Sequence, residues 1–150
     1  MLEGAPGRTS KNALAPADGL AKPKQRILIV DDHTIMRDGL RALLEADGRF
    51  EVVEAVENGR EAVRATMALQ PDLVLMDLAM PQMDGLAAIQ QISRRSPQTR
   101  ILALTMHKTE EHIRAALQAG ARGYILKDSP RGELFMAIEN VLSDKIFISP

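Results

Sequence analysis

Apolar residues along this chain follow two different periods. Four short runs are almost unbroken: Ile27-Leu-Ile-Val30, Leu73-Val-Leu-Met76, Ile101-Leu-Ala-Leu104 and Tyr124-Ile-Leu126. Their length suits strands rather than helices. Near-continuous apolar runs are what strands covered on both faces require. A fifth run, Phe50-Glu-Val-Val-Glu-Ala-Val56, mixes in charge and suits the edge of a sheet. Between the runs the spacing becomes helical. Met36, Leu40, Leu43 and Leu44 recur at i, i+4, i+7 and i+8, which places them on one helix face. Ile113, Ala116 and Leu117 form a second such stripe, and Leu134, Ile138, Val141 and Leu142 a third. The pattern predicts strands at 26–30, 50–56, 73–77, 100–105 and 123–126. It predicts helices at 34–46, 59–69, 85–96, 109–119 and 130–142. Gly48, Gly120 and Gly123 fall at helix ends and turns. Ser129-Pro130 reads as a cap residue followed by proline at the first helical position. Strands alternating with helices imply an α/β fold with a parallel sheet and right-handed crossovers.

The polar residues that close these runs are more informative than the runs themselves. The first ends at Asp31-Asp32, the third strand at Asp77, the fourth at Thr105 and the fifth at Lys127. In a parallel sheet those carboxyl ends share one edge. Open α/β sheets bind ligands at that edge, where the strand order reverses. Each residue has an ordinary reading too. Asp77 could cap a turn, the acid pair could favour a helix start, Thr105 could simply suit a strand, and Lys127 could be solvated.

Composition narrows the classes. Nineteen basic residues face twenty acidic ones, which gives no support for a strongly basic nucleic-acid surface. Three Phe, one Tyr and no Trp argue against a base-stacking platform. Absence of Cys removes disulfides and thiolate metal sites and fits a reducing cytoplasm. No apolar run approaches the roughly 18 residues of a membrane span. Residues 1–25 carry Pro6, Pro16 and Pro23, are rich in Ala, Gly, Ser, Asn and Lys, and show no period. They are expected to form a flexible extension before one domain over 26–148.

Acid pair, acid, threonine and lysine, in that order at strand ends, resemble the receiver domain of two-component response regulators. The receiver pattern D-x-x-M-P-x-M-D-G is matched at every fixed position by Asp77, Met80, Pro81, Met83, Asp84 and Gly85. The resemblance implies a flavodoxin-like (βα)5 doubly wound fold with strand order 2-1-3-4-5. Asp31, Asp32 and Asp77 would then lie side by side at the switch point. It further implies that Asp77 accepts a phosphoryl group from a sensor histidine kinase. Carboxylates are competent nucleophiles of this kind. Adjacent carboxylates repel unless a cation lies between them, and Mg²⁺ takes oxygen ligands. By resemblance, Asp32, Asp77 and the backbone carbonyl of Ala79 hold Mg²⁺ directly, with Asp31 acting mostly through water. Lys127 would offset the carboxylates and then meet the phosphoryl oxygens. Thr105 and Tyr124 would form a coupled switch acting on the face of helix four, strand five and helix five, altering homodimer contacts or releasing an attached domain. Such a chain is no enzyme in the ordinary sense, although it assists its own phosphorylation and dephosphorylation.

Asp31-Asp32-His33, Thr105-Met106-His107 and Gly120 to Asp128 narrow the resemblance to receivers joined to LuxR-type DNA-binding domains, the NarL/FixJ class. Thr34 and Asp128 stand where proline is common. Phe147-Ile-Ser-Pro150 resembles the link into such an output domain, which would need roughly 60 further residues for a helix-turn-helix. Either the chain is a receiver cut from a transcription factor, the favoured expectation, with DNA contact confined to that other domain, or it is a single-domain regulator. His33 is expected to face solvent at a helix start, and Ser93-Arg-Arg-Ser96 to be a solvated helix end. Met106 is expected either to cover the phosphoryl site or to pack on the fourth helix. Three other classes compete. A haloacid-dehalogenase-type phosphatase needs a second acid where Ala79 stands. A dinucleotide-binding domain needs a G-x-G-x-x-G after the first strand, which is absent. A phosphorylation-independent interaction module on the same fold stays open.

Overall fold

The unbroken apolar runs form the centre of one parallel sheet. The computed structural model describes residues 23–80, 85–106 and 109–149. Along the chain the elements are β1 Gln25–Val30, α1 Thr34–Asp47, β2 Phe50–Val56, α2 Gly59–Leu69, β3 Leu73–Asp77, α3 Gly85–Arg95, β4 Arg100–Thr105, α4 Glu110–Ala119, β5 Gly123–Leu126, α5 Arg131–Leu142 and β6 Phe147–Ile148. The sheet order is β2-β1-β3-β4-β5-β6, all parallel. This is the flavodoxin-like doubly wound arrangement with one strand added beyond β5. β2, the charged run, is an edge strand as expected.

Alternation along each strand divides the core in two. Leu28, Val30, Val74, Met76, Ile101, Ala103 and Tyr124 pack against α2, α3 and α4 through Ala62, Ala88, Ile89, Ile92 and Ala116. Ile27, Ile29, Leu73, Leu75, Leu102, Leu104 and Ile125 face the other side, against Leu40 and Leu44 of α1 and Leu134, Ala137, Ile138 and Val141 of α5. Burying both faces is why these strands carry no polar alternation. Local signals set the helix ends. Asn58 accepts the Glu61 amide at 2.8 Å and Thr109 accepts that of His112 at 3.2 Å. Gly48 closes α1 at φ 89°, where any side chain would be strained.

Four details differ from the sequence reading. Phe147–Ile148 is not a bare link but a two-residue strand on the outer edge of β5, pairing Gly123 with Phe147 and Tyr124 with Ile148. α5 starts at Arg131, with Pro130 as its N-cap; Ser129 instead donates its hydroxyl to Glu133 at 2.9 Å. Ser96 is fully buried and shares a 2.8 Å hydrogen bond with Thr99, so the end of α3 is not wholly solvated. Ile113, Leu117, Met36, Leu43 and Leu142 are half-buried rather than core. The Lys127–Asp128 bond is trans.

Candidate functional site

Parallel pairing brings the polar strand ends together. Asp31 follows β1, Asp77 closes β3, Thr105 closes β4 and Lys127 follows β5. The ladder aligns Val30 with Met76, Asp77 with Leu104, and Thr105 with Leu126. β1 and β3 are neighbours whose connections run to opposite sides, which opens the crevice between their ends.

Each polar group there is held by the backbone around it. The Asp31 amide donates to Val56 and its carbonyl accepts from Arg37 at 2.7 Å. The Asp77 Oδ1 accepts the Ala79 amide at 3.1 Å, which fixes the carboxylate plane. The Lys127 amide donates to the Thr105 carbonyl at 2.7 Å. From there the Lys127 Nζ reaches the Asp31 Oδ2 at 2.9 Å and the Asp77 Oδ2 at 3.1 Å. One ammonium therefore faces two buried carboxylates. Burial pushes the Asp77 carboxyl above its usual range, and Asp31 adds to this, while the Ala79 amide and Lys127 pull the other way. Burial opposes charge on Lys127 too, but the two carboxylates outweigh it and hold the ammonium above its ordinary value.

One cation does not satisfy the cluster. Asp31 Oδ2 and Asp77 Oδ2 meet only the Lys127 ammonium, and the buried Asp32 Oδ1 accepts no hydrogen bond. Ligand atoms of Asp31, Asp32, His33 and Asp77 all lie within 4.8 Å of one another. Several carboxylate oxygens converging with unused lone pairs fit a small, hard divalent cation.

Tyr124 is fully buried and Thr105 nearly so. Burial raises the Tyr124 phenol above its usual range, and a hydrogen bond shared with the Thr105 side chain partly offsets this. The two residues named as a coupled pair are thus in contact. The Tyr124 carbonyl also accepts the Ser149 amide at 3.0 Å, so β6 is tied to the same strand.

Two further residues lie beside the acids. His33 is 68% exposed, as its place at a helix start suggests, yet its ring folds back over the acid pair. Its Nδ1 is 3.1 Å from Asp31 Oδ1 and 3.2 Å from Asp32 Oδ1. In the sequence the one signal for this is its position directly after two acids. Met106 is 63% exposed and lines a shallow apolar groove with His33, Met36 and Lys127, on the side of α1 rather than α4. Gly85 admits the close approach of α3, since a Cβ there would lie 2.5 Å from the Asp77 carbonyl oxygen. Pro81, Met83, Asp84 and His107 lie outside the described residues, as do residues 1–22.

Comparison with known proteins agrees with this geometry. The family described as response regulator receiver domain matches residues 27–139. The transcriptional regulatory protein YdfI of Bacillus subtilis is 38% identical over 125 residues, covering 83% of this chain and 58% of that protein. The oxygen regulatory protein NreC of Staphylococcus carnosus is 40% identical over 126 residues, 83% of this chain and 58% of its own length. The chain thus spans a little over half the length of these curated relatives. A crystal structure of a LuxR-family two-component response regulator from Aurantimonas sp. SI85-9A1 superposes with a TM-score of 0.81 at 38% identity, covering 85% of this chain and 91% of that one. With its strand order, its converging acids and these matches together, the chain belongs to the response regulator receiver domain family.

Proposed function

We propose that this receiver takes a phosphoryl group onto Asp77 from a phosphohistidine of a sensor kinase and passes the change to the β5 edge. The observation that carries the reading is the buried Asp77 carboxylate, oriented by one amide and faced by Lys127 at 3.1 Å beside two further acids. In the transfer an Asp77 oxygen bonds to phosphorus as the phosphorus–nitrogen bond breaks. The departing imidazole keeps that electron pair and takes a proton from solvent. Lys127 neutralises charge on the acids before transfer and on the phosphoryl oxygens after it. Asp32, Asp77 and the Ala79 carbonyl, with Asp31 through water, would hold Mg²⁺, which when bound supplies the positive charge that lets acids and phosphoryl oxygens share one crevice.

Switching follows from competition for one hydroxyl. Thr105 shares its side-chain hydrogen bond with Tyr124. A phosphoryl oxygen on Asp77 offers a charged acceptor, which makes stronger hydrogen bonds than a neutral one. Populations in which Thr105 turns to the phosphoryl group gain weight, and Tyr124 repacks against α4. Because β6 is bonded along Tyr124, the change reaches the C-terminal segment as well as the α4–β5–α5 face. The regulatory relatives support transcriptional output, exerted through a helix-turn-helix domain outside this stretch, with a homodimer as the responding state. Among the described residues no helix is long and apolar enough to cross a membrane; a cytoplasmic site of action is part of the proposal.

Beryllofluoride plus Mg²⁺, which mimics the aspartyl phosphate, tests the reading by NMR. Amide shifts concentrated at 31–33, 77–80, 105, 124–127 and 147–149 are expected. A spectrum left unchanged at saturating additive would leave the phosphorylation-independent interaction module as the better account.

A further inference from the structure

We infer that His33 is a cation-selecting ligand, giving the acid site an affinity for nitrogen-seeking divalent metals that its carboxylates alone would not confer. This rests on the reading of the acid cluster as a cation site and goes beyond it by adding a donor of different chemistry. The ring stands at ligand spacing. Donors on adjacent corners of an octahedron with bonds of about 2.1 Å lie about 3.0 Å apart. The His33 Nδ1 is 3.1 Å from Asp31 Oδ1 and 3.2 Å from Asp32 Oδ1. The backbone enforces this placement. His33 is the N-cap of α1 at φ −100° and ψ 117°, and its amide donates to Asp31 Oδ1 at 2.9 Å. Its side chain caps nothing, so the helix start does not require the imidazole.

Donor chemistry then sets the preference. Mg²⁺ takes oxygen and keeps its waters, so an imidazole adds little to its binding. Co²⁺, Ni²⁺ and Zn²⁺ bind imidazole well. With His33 present the crevice holds three carboxylates and one nitrogen, a mixed set. The opposing account is that Nδ1 carries a proton shared with the acids. His33 would then hinder every cation equally, and its removal would tighten binding of all of them.

Calorimetric titration of the full chain with Mg²⁺ and separately with Co²⁺ decides, using wild type, His33→Ala and Asp32→Ala. The expected result is a loss of at least about tenfold in Co²⁺ affinity in His33→Ala, the scale on which even supporting groups around metals act, with Mg²⁺ affinity changed less than about twofold. The Co²⁺ visible absorption band should shift in the same variant, a direct sign of a lost nitrogen ligand. Equal changes for both metals, or tighter binding of both, would overturn the inference while Asp32-dependent Mg²⁺ binding upheld the site itself. Binding of neither metal, or binding indifferent to Asp32→Ala, would remove the site and the inference together.

Discussion

Replacing Lys127 by methionine removes the ammonium that faces Asp31 and Asp77 while keeping about the length of the side chain. The Lys127 side chain is 7% exposed, and those of Asp31 and Asp77, its partners at 2.9 and 3.1 Å, are 1% and 0% exposed. Removing one partner of a buried pair costs about 3–5 kcal/mol, because the remaining charge is left desolvated and unpaired. Two carboxylates are left here, with Asp32 beside them, which puts the loss at the upper end, about 4–5 kcal/mol at neutral pH. That is a large part of the roughly 5–15 kcal/mol of a whole domain. The loss has a defined pH dependence. Burial already holds the Asp77 carboxyl above its usual range, and Lys127 is one of the groups opposing the rise. In the variant the folded-state value climbs further. A carboxyl with a raised folded pKa contributes its stability in full below the unfolded pKa and loses it as pH rises through the folded one. The deficit relative to wild type should therefore shrink as pH falls toward about 4, where free carboxyls titrate. Metal-free urea unfolding at pH 7 and pH 4.5 measures this. With slopes of about 1–3 kcal/mol/M the midpoint should drop by more than about 1 M at neutral pH, and by clearly less in acid. Asp77→Asn in the same chain should recover part of the loss, since the two sites are coupled. An unmoved midpoint, or an equal deficit at both pH values, would refute the electrostatic account.

Gly85→Ala should cost about 1–3 kcal/mol by thermal or urea unfolding, the usual range for forced overpacking, because its Cβ would meet Asp77 O at 2.5 Å and Leu78 Cα at 2.7 Å; an unchanged stability would show that α3 moves away freely. Met106→Ala should speed phosphate release from loaded Asp77, since the thioether lines the groove beside Lys127 and is not consumed in packing on α4; equal release rates would leave it without a gating role. Glu133→Gln weakens the carboxylate that accepts both the Ser129 and the Ser149 hydroxyls, so hydrogen exchange at the Ser149 amide should quicken while the β3 amides stay protected; no change there would mean that backbone pairing alone holds β6.

Much of this fold is legible because parallel strands covered on both faces leave an unmistakable trace. Ile27–Val30 and Leu73–Met76 can be apolar without interruption only where helices cover each side, and both are interior strands of the sheet. The site is legible for a linked reason: polar residues directly after such runs, at Asp31, Asp77, Thr105 and Lys127, must share the carboxyl edge. Other features leave no such trace. β6 is two residues long, too short to display a period, and it exists through backbone bonds from Phe147 to Arg122 and from Ser149 to Tyr124. Pro130 occupies the N-cap rather than the first turn because its carbonyl accepts the Glu133 and Leu134 amides, so the helix opens one residue later than Ser-Pro chemistry suggests. Ser96 is buried by a loop contact with Thr99, which no helical pattern encodes. The return of His33 over the acids depends on backbone angles at one residue, and the sequence shows only that it comes next.

Phosphoryl loading of Asp77 tests the central claim most directly. The chain is incubated with acetyl phosphate and Mg²⁺, and the added mass is mapped to a residue. The account predicts one phosphoryl group per chain, carried on Asp77, absent when Mg²⁺ is chelated and absent in Asp77→Asn. Incorporation at another residue, incorporation that survives Asp77→Asn, or no incorporation into folded protein would contradict it.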